Sequence, residues 1–484
     1  MINGTAIDLL KSFSKRELKD LTLFLISPFH NTDQSVVRLF SYIKKYYPAF
    51  EHKDLTKEKI FEEVYRGKKY NEQTMKSVLF NLAGCIKEYL VLHRIYGDPV
   101  KKNLLLADEL LERENLKILG KVTGIAEGIE ISKGIHKEGF YSLHYTDYLK
   151  WQAASFTYDH TALIRNFVNK SNHFLMYMIM ELMYDVNTMD TFKFNHNTDF
   201  GALPVSKFLC NFDMKSFLND LNKEGYKYSY ILEMSLSITM FLAGNYDEKL
   251  YVKASSIFKK NIQAFEQNEI YGISTMLINM CRKFEKTDEE KYTREKFEIY
   301  KLQLKKNAYS SYPNAPLTVD KFRNIVNAAL YLKELKWSER FISDFKEMLP
   351  ENMRDDVTAL AIAYLHAEKG EYESALEITA KVKIEYFAYK PDLKLLQLRC
   401  FYELGYTEEA FSSADALRHF MKSQSLSSSK QRTIQIFLNY YLRLLKLRIS
   451  HDKHTALILL KDVNNNHTLS SKNWFLKKIE ELKQ

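Results

Sequence analysis

The sequence predicts an all-α chain: a helical-hairpin repeat solenoid with an N-terminal helical module and a C-terminal helical cap. Three observations carry that prediction. Glycine and proline are scarce, 15 and 8 in 484 residues, against typical usage of roughly 7% and 5%. Sheets need tight turns, and tight turns draw on those residues. Apolar residues recur at helical spacing in most segments. One stretch also repeats itself at a period near 35 residues, the mark of stacked two-helix units.

Residues 1–98 read as the N-terminal helical module. Ser14 and Glu17 stand at capping-box spacing ahead of Leu18, Leu21, Phe24 and Leu25, which predicts a helix over 14–26. Pro28 ends it, because the residue before a proline is pushed out of the helical region. A second helix is expected from about Thr32 to Tyr47, where Pro48 stops it. A short one follows Thr56. A long one starts at Asn71, carries Met75, Val78, Leu82, Ile86 and Tyr89 on one face, and stops at Gly97-Asp98-Pro99.

Residues 99–315 form a middle helical region with degenerate hairpins. Five glycines fall between Gly120 and Gly139. Glycine inside a helix costs about 1 kcal/mol relative to alanine, so this stretch is either a close helix contact or a joint, and the continuing apolar residues favour the contact. A helix with a methionine face (Met176, Met180, Met183) is expected over 161–186, followed by a polar and aromatic loop from Asn187 to Pro204.

Residues 316–420 hold the clearest pattern. Val357, Leu360, Ala361, Tyr364 and Leu365 line one helix, Gly370 turns the chain, and Tyr372, Ala375, Leu376 and Thr379 line the next. Gly405 and Ala410 repeat Gly370 and Ala375 thirty-five residues on, and Trp337 and Arg340 stand thirty-five residues before Tyr372 and Ala375. On Gly370, Tyr372, Ala375, Leu376, Gly405 and Ala410 the chain resembles the tetratricopeptide-repeat (TPR) family. The resemblance covers about 100 residues closely and, with a remote copy at Gly244-Asn245-Tyr246-Asp247-Glu248, about 180 loosely. Arg340 and Lys249 replace the small residue in the outlying copies, Leu398 replaces one in a first helix, and the terminal proline is missing. The N-terminal module is similar to uncharacterised bacterial helical proteins, a likeness that implies no activity.

Residues 421–484 form the basic cap. A loop is expected over Ser425–Ser429, then a helix over 430–449, a short helix, and a last one over 471–482. The net charge of the chain is +9, and it is unevenly spread: +4 over 1–110, +1 over 111–315, −4 over 316–420 and +8 over the last 64 residues. The excess therefore describes the cap and not the whole chain.

Chemistry-bearing motifs are missing. There is no Cys-x-x-Cys and no His-Glu-x-x-His for a metal. There is no phosphate-cradling P-loop, no G-x-S-x-G nucleophile turn, and no flank that marks a catalytic cysteine. His451 and His454 form the closest histidine pair and read as solvated. Asp288-Glu289-Glu290 reads as an acidic first helical turn. The expectation is no enzyme, no cofactor and no metal. Charges run through the first nineteen residues, and the longest uncharged apolar stretch, Met234 to Tyr246, is well short of the roughly 20 residues of a span. Four scattered cysteines (Cys85, Cys210, Cys281, Cys400) suit a reducing compartment. A cytoplasmic location without a membrane span is expected.

The remaining expectation is a protein-protein interaction scaffold. In the TPR family the first helix of each hairpin lines a concave face. The resemblance places Phe322, Ile325, Ala329 and Leu332 there, then Val357, Leu360, Tyr364 and Ala367, then Asp392, Leu395, Arg399 and Tyr402. That lining is largely apolar and lacks the Lys, Asn and Arg of the family's carboxylate clamp. It points to another protein's hydrophobic peptide or helix rather than an acidic tail, unless the array's own next element fills the groove. The alternative is a nucleic acid or acidic partner on the cap, at Asn439, Arg443, Lys446, Lys477 and Lys478. Neither partner identity nor oligomeric state is encoded legibly.

Overall fold

The computed structural model describes residues 3–196, 198–201, 204–285, 287–310, 315–382, 390–422, 428–466 and 469–483. Within them the fold is all-α and no β-strand occurs. No described helix is long and apolar enough to cross a membrane. The chain forms two compact units, Met1–Ser132 with Ser142–Lys170, and Lys133–Tyr141 with Ser171–Gln484.

The first unit opens with α1 (Thr5–Lys11), α2 (Lys15–Ile26), α3 (Gln34–Ile43), α4 (Lys57–Val64) and α5 (Glu72–Tyr96). The expected capping box is present: the Glu17 backbone N–H donates to Ser14 Oγ and the Ser14 N–H donates to Glu17 Oε2 at 2.7 Å. Asn71 caps α5 through its side chain alone, its Oδ1 accepting the Thr74 N–H at 2.8 Å. Met75, Val78, Leu82 and Ile86 of α5 are buried with Leu18, Leu21 and Leu25 of α2 and Val36, Leu39 and Phe40 of α3 in one core. A second, smaller core joins α6 (Pro99–Glu112), α7 (Leu116–Ser132) and Leu149 of α8 (Lys137–Phe156). The glycines of α7 do not serve close packing. A Cβ at Gly120, Gly124 or Gly128 would meet nothing within 4 Å. Close approach occurs instead at Gly134, where a Cβ would lie 2.9 Å from the Ala264 carbonyl oxygen, and at Gly139, against the His136 ring.

α9 runs from His160 to His196. Met176, Met180 and Met183 are fully buried on it, as core. The loop expected from Asn187 does not begin there: the helix continues ten residues further. No breaker stands in that stretch, and tertiary partners hold it. Asn279 donates to Asn187 Oδ1 at 2.9 Å, and Lys283 pairs with the buried Asp190 at 2.6 Å.

The second unit continues through α10 (Pro204–Asn211), α11 (Met214–Lys223), α12 (Ser229–Leu242), α13 (Glu248–Asn261), α14 (Gln267–Phe284) and α15 (Glu289–Lys305). The apolar run from Met234 falls on α12, which is buried almost all round. One extended segment enters this unit. Ile135 donates to the Ala264 carbonyl at 2.7 Å and accepts from the Glu266 N–H at 3.0 Å. Beside this bridge the buried Glu269 accepts the Lys137 N–H at 2.8 Å and the Tyr184 hydroxyl at 2.7 Å. The clasp pins residues 133–141 to the start of α14.

Three helix pairs follow: α16 (Val319–Tyr331) with α17 (Leu335–Phe345), α18 (Arg354–Lys369) with α19 (Tyr372–Lys381), and α20 (Lys390–Leu404) with α21 (Thr407–Lys422). Their first helices start 35 and 36 residues apart, at 319, 354 and 390. Each pair packs internally, and α16, α18 and α20 also pack in succession. Gly370 and Gly405 end their helices with φ of 86° and 80°, left-handed values that glycine adopts without strain. In the first pair Lys333 takes that role at φ 60°, and three residues separate its helices where two separate those of the other pairs. Ala375 and Ala410 are fully buried, consistent with a small residue where paired helices approach.

The chain closes with α22 (Ser428–Ser450), α23 (Lys453–Asn465) and α24 (Lys472–Lys483) around Phe437, Tyr441 and Phe475. Residues 425–427 of the expected serine loop lie outside the described residues, and Ser428 and Ser429 belong to α22 and not to a loop.

A cation-lined cleft as candidate functional site

The apolar residues expected to line the concave face are placed mostly between helices. Phe322, Ile325, Leu360 and Tyr402 are buried, while Leu332, Tyr364, Leu395 and Arg399 are partly exposed. The Phe322 ring lies tilted against Phe341 of α17 with ring centroids 5.1 Å apart. The space left among Val319, Phe322, Val357, Leu360 and Tyr364 is about 20 Å³, room for a single water. The polar members join helices to one another. Tyr364 donates to the Asp392 carbonyl at 3.0 Å, and Arg399 bonds Glu368 at 2.9 Å while Lys333 holds the same carboxylate at 2.6 Å. Burial pushes the Tyr364 hydroxyl well above its ordinary pKa.

The cap residues divide. Asn439, Arg443 and Lys446 share the exposed face of α22, and Lys477 is exposed on α24. Arg443 is already paired with Asp462 at 2.7 Å and lies over the Tyr440 ring. Lys478 is nearly buried between Glu403 at 2.8 Å and Glu481 at 2.9 Å, so it holds α24 to α20 and is spent on the fold. His451 and His454 are exposed. Among the described residues no cluster of three or more His, Cys, Asp or Glu could hold a metal. Burial raises the thiols of Cys281 and Cys400, to about 12 and about 11, which disfavours the nucleophilic thiolate. The side chain of Cys210 lies outside the described set.

An open cleft of about 610 Å³ lies one helix face away. α14 contributes Thr275, Ile278, Asn279 and Arg282, with Glu285 just beyond its end. α15 contributes Thr293, Lys296 and Tyr300. α16 contributes Asp320, Lys321, Arg323, Asn324, Asn327 and Tyr331. On α16 the cleft residues Asn324, Asn327 and Tyr331 precede the expected Ile325, Ala329 and Leu332 by one or two positions. One residue is about 100° of helix, enough to exchange an interior face for an open one. The polar spacing 320, 324, 327, 331 is itself helical and was legible beside the apolar set.

Four cations and two carboxylates line this cleft. Lys296 is paired with Glu285. Arg323 bonds Asp392 at 2.6 Å and lies 3.9 Å from Asp320. Arg282 is largely buried, and burial holds its guanidinium below its ordinary pKa. Lys321 differs from the others. Its ammonium donates to Gln303 Oε1 at 3.2 Å and sits 4.1 Å over the Tyr271 ring. Among the described residues it has no carboxylate partner, and burial pulls its pKa down to about 7. At the far end burial, with Glu289 nearby, pushes the Tyr331 hydroxyl up to about 12, and Asn473 of α24 donates to it at 3.3 Å.

Comparison of the chain with protein-family models, with curated proteins and with solved structures finds no match.

Proposed function

We propose that this protein is a non-catalytic interaction scaffold whose α14–α16 cleft takes an acidic segment of another protein. The helix pairs from 316 to 420 stack in a TPR-like manner in this reading, supported by their spacing and by their left-handed glycine turns. The observation that carries the partner's chemistry is Lys321. A largely buried ammonium with no counter-charge is unfavourable in a free protein, and a carboxylate entering the cleft relieves that cost. Asn324 and Asn327 are exposed beside it. Each amide offers both a donor and an acceptor, the pair of functions a peptide backbone requires. The apolar residues read as groove from the family resemblance serve in this account as the packing that fixes the cleft's walls.

The test is fluorescence anisotropy with a labelled hexaglutamate peptide and its hexaglutamine counterpart. Wild type should prefer hexaglutamate, and Lys321→Gln should weaken it at least tenfold, in line with about 1.5–3 kcal/mol for a hydrogen bond to a charged group. Lys336→Gln, an exposed site on α17, should leave it unchanged. Equal affinity for the two peptides, or indifference to Lys321→Gln, would reject the proposal.

A further inference from the structure

The N-terminal module carries a second concavity that the acidic-segment reading does not use. It is an open cleft of about 620 Å³ between α3 and the connection from α4 to α5. Arg38, Tyr42 and Lys45 follow one another at four- and three-residue spacing, so α3 and the single 3-10 turn after it present them on one side. The opposite wall is a turn closed by the Lys68 N–H donating to the Tyr65 carbonyl at 2.9 Å, with Gly67 at φ 77°. That turn delivers Tyr65, Arg66 and Lys68. Four cations thus face one space, and the single acid there, Glu63, is held by Arg66 at 3.3 Å.

Some lysines of the module find carboxylates: Lys59 with Asp54 at 2.6 Å, Lys76 with Glu72 at 3.0 Å and Lys57 with Glu72 at 3.8 Å. Among the described residues Arg38, Lys45 and Lys68 have no carboxylate at ion-pair distance. The two lysines lie over tyrosine rings instead, Lys45 at 5.5 Å from the Tyr42 centroid and Lys68 at 5.9 Å from that of Tyr65. Three unneutralised cations around one concavity repel each other, and a polyanion entering it removes that repulsion with release of its own counterions.

We propose that this cleft binds the phosphodiester backbone of a single-stranded nucleic acid, with bases laid on Tyr65 and Tyr42. Concavity separates this ligand from a lipid surface, because a plane cannot touch both walls at once. The rings separate it from a duplex, whose bases are already stacked on one another. Both tyrosines are partly exposed, and base–aromatic stacking tolerates any sequence. The arrangement therefore reads charge and strandedness, not sequence.

The experiment is anisotropy of the full chain with labelled oligouridine and oligothymidine twelve nucleotides long, titrated between 50 and 300 mM salt. Binding of either strand is expected, and the choice between them names RNA or DNA as the source. With about three phosphates neutralised, log K should fall against log salt with a slope near −2, at about −0.7 per contact. The triple variant Arg38→Glu, Lys45→Glu, Lys68→Glu should lose at least tenfold in affinity and most of the slope, with its circular dichroism unchanged. Tyr65→Leu should lose about tenfold while keeping the slope, a split that a purely structural role would not give. Should the triple variant lose its fold, Arg38→Gln with Lys68→Gln carries the same expectation at smaller size. The proposal is overturned if neither oligonucleotide binds, if the charge variants keep wild-type affinity and slope, if a twenty-base-pair duplex binds better than the single strand, or if phosphatidylglycerol vesicles bind where oligonucleotides do not.

Discussion

Single residues decide the strongest statements about this chain. Glu269 is buried with two donors, and burial raises its carboxyl above the ordinary range. Its donor Tyr184 has room only because residue 272 is glycine: a Cβ there would collide with the Tyr184 hydroxyl. Gly272→Ala should therefore displace the ring, strip a hydrogen bond from a buried carboxyl and cost about 2–3 kcal/mol, measured by urea denaturation. Lys321 makes a pH prediction. Its folded pKa, about 7, lies below the unfolded value of about 10.4. Between those values the unfolded chain holds a proton that the folded chain has released, so this group's contribution to stability rises with pH across the window. Lys321→Met should melt higher than wild type below pH 7, with the gap shrinking as pH climbs towards 10. A gap independent of pH would contradict the assignment. Neither residue announces itself in sequence. Glu269 and Lys321 look like any charged residue on a solvated helix, because their burial depends on partners far away in the chain.

At the scale of elements, most helices were legible and their extents were less so. The capping box at Ser14, the cap at Asn71 and the acidic first turn after Asp288 are local devices, readable from a few adjacent residues. The length of α9 was not readable, because its last turns rest on Asn279 and Lys283, some 90 residues downstream. On α16 an apolar stripe and a polar stripe run side by side; the family resemblance selects the apolar one, of which Phe322, Ile325 and Ala329 are buried in the structure. The α7 glycines give an element-scale prediction. Gly124 has open space around its missing Cβ and no positive φ. Gly124→Ala should raise stability by up to about 1 kcal/mol, read as a shift in denaturation midpoint at constant m-value. A loss would mean that the glycine face has a use in the isolated chain.

At the scale of the whole molecule, composition carried the most. Scarce glycine and proline announced an all-α chain, and the 35-residue recurrence matches the spacing of three successive helix pairs. The placement of charge was legible only in part. The cap's +8 counts lysines such as Lys478 that are neutralised by acids from other segments, whereas the N-terminal module, with only a small excess, gathers unpaired cations in one cleft. The clasp at Ile135 and Ala264 has a kinetic consequence. Much of the helix packing in the second unit joins helices adjacent or next but one in sequence, so those pairs can form quickly. The clasp joins positions 130 residues apart (135 and 265), and closing a loop of that length costs roughly 4 kcal/mol of chain entropy. It should be made late, after the pairs on its downstream side exist. Glu269→Gln should then speed unfolding in stopped-flow experiments while leaving the folding limb nearly unchanged. A slowed folding limb would place the clasp in the nucleus instead. The segment 133–141 is thus a latch that should close late in folding and be released early when the second unit opens.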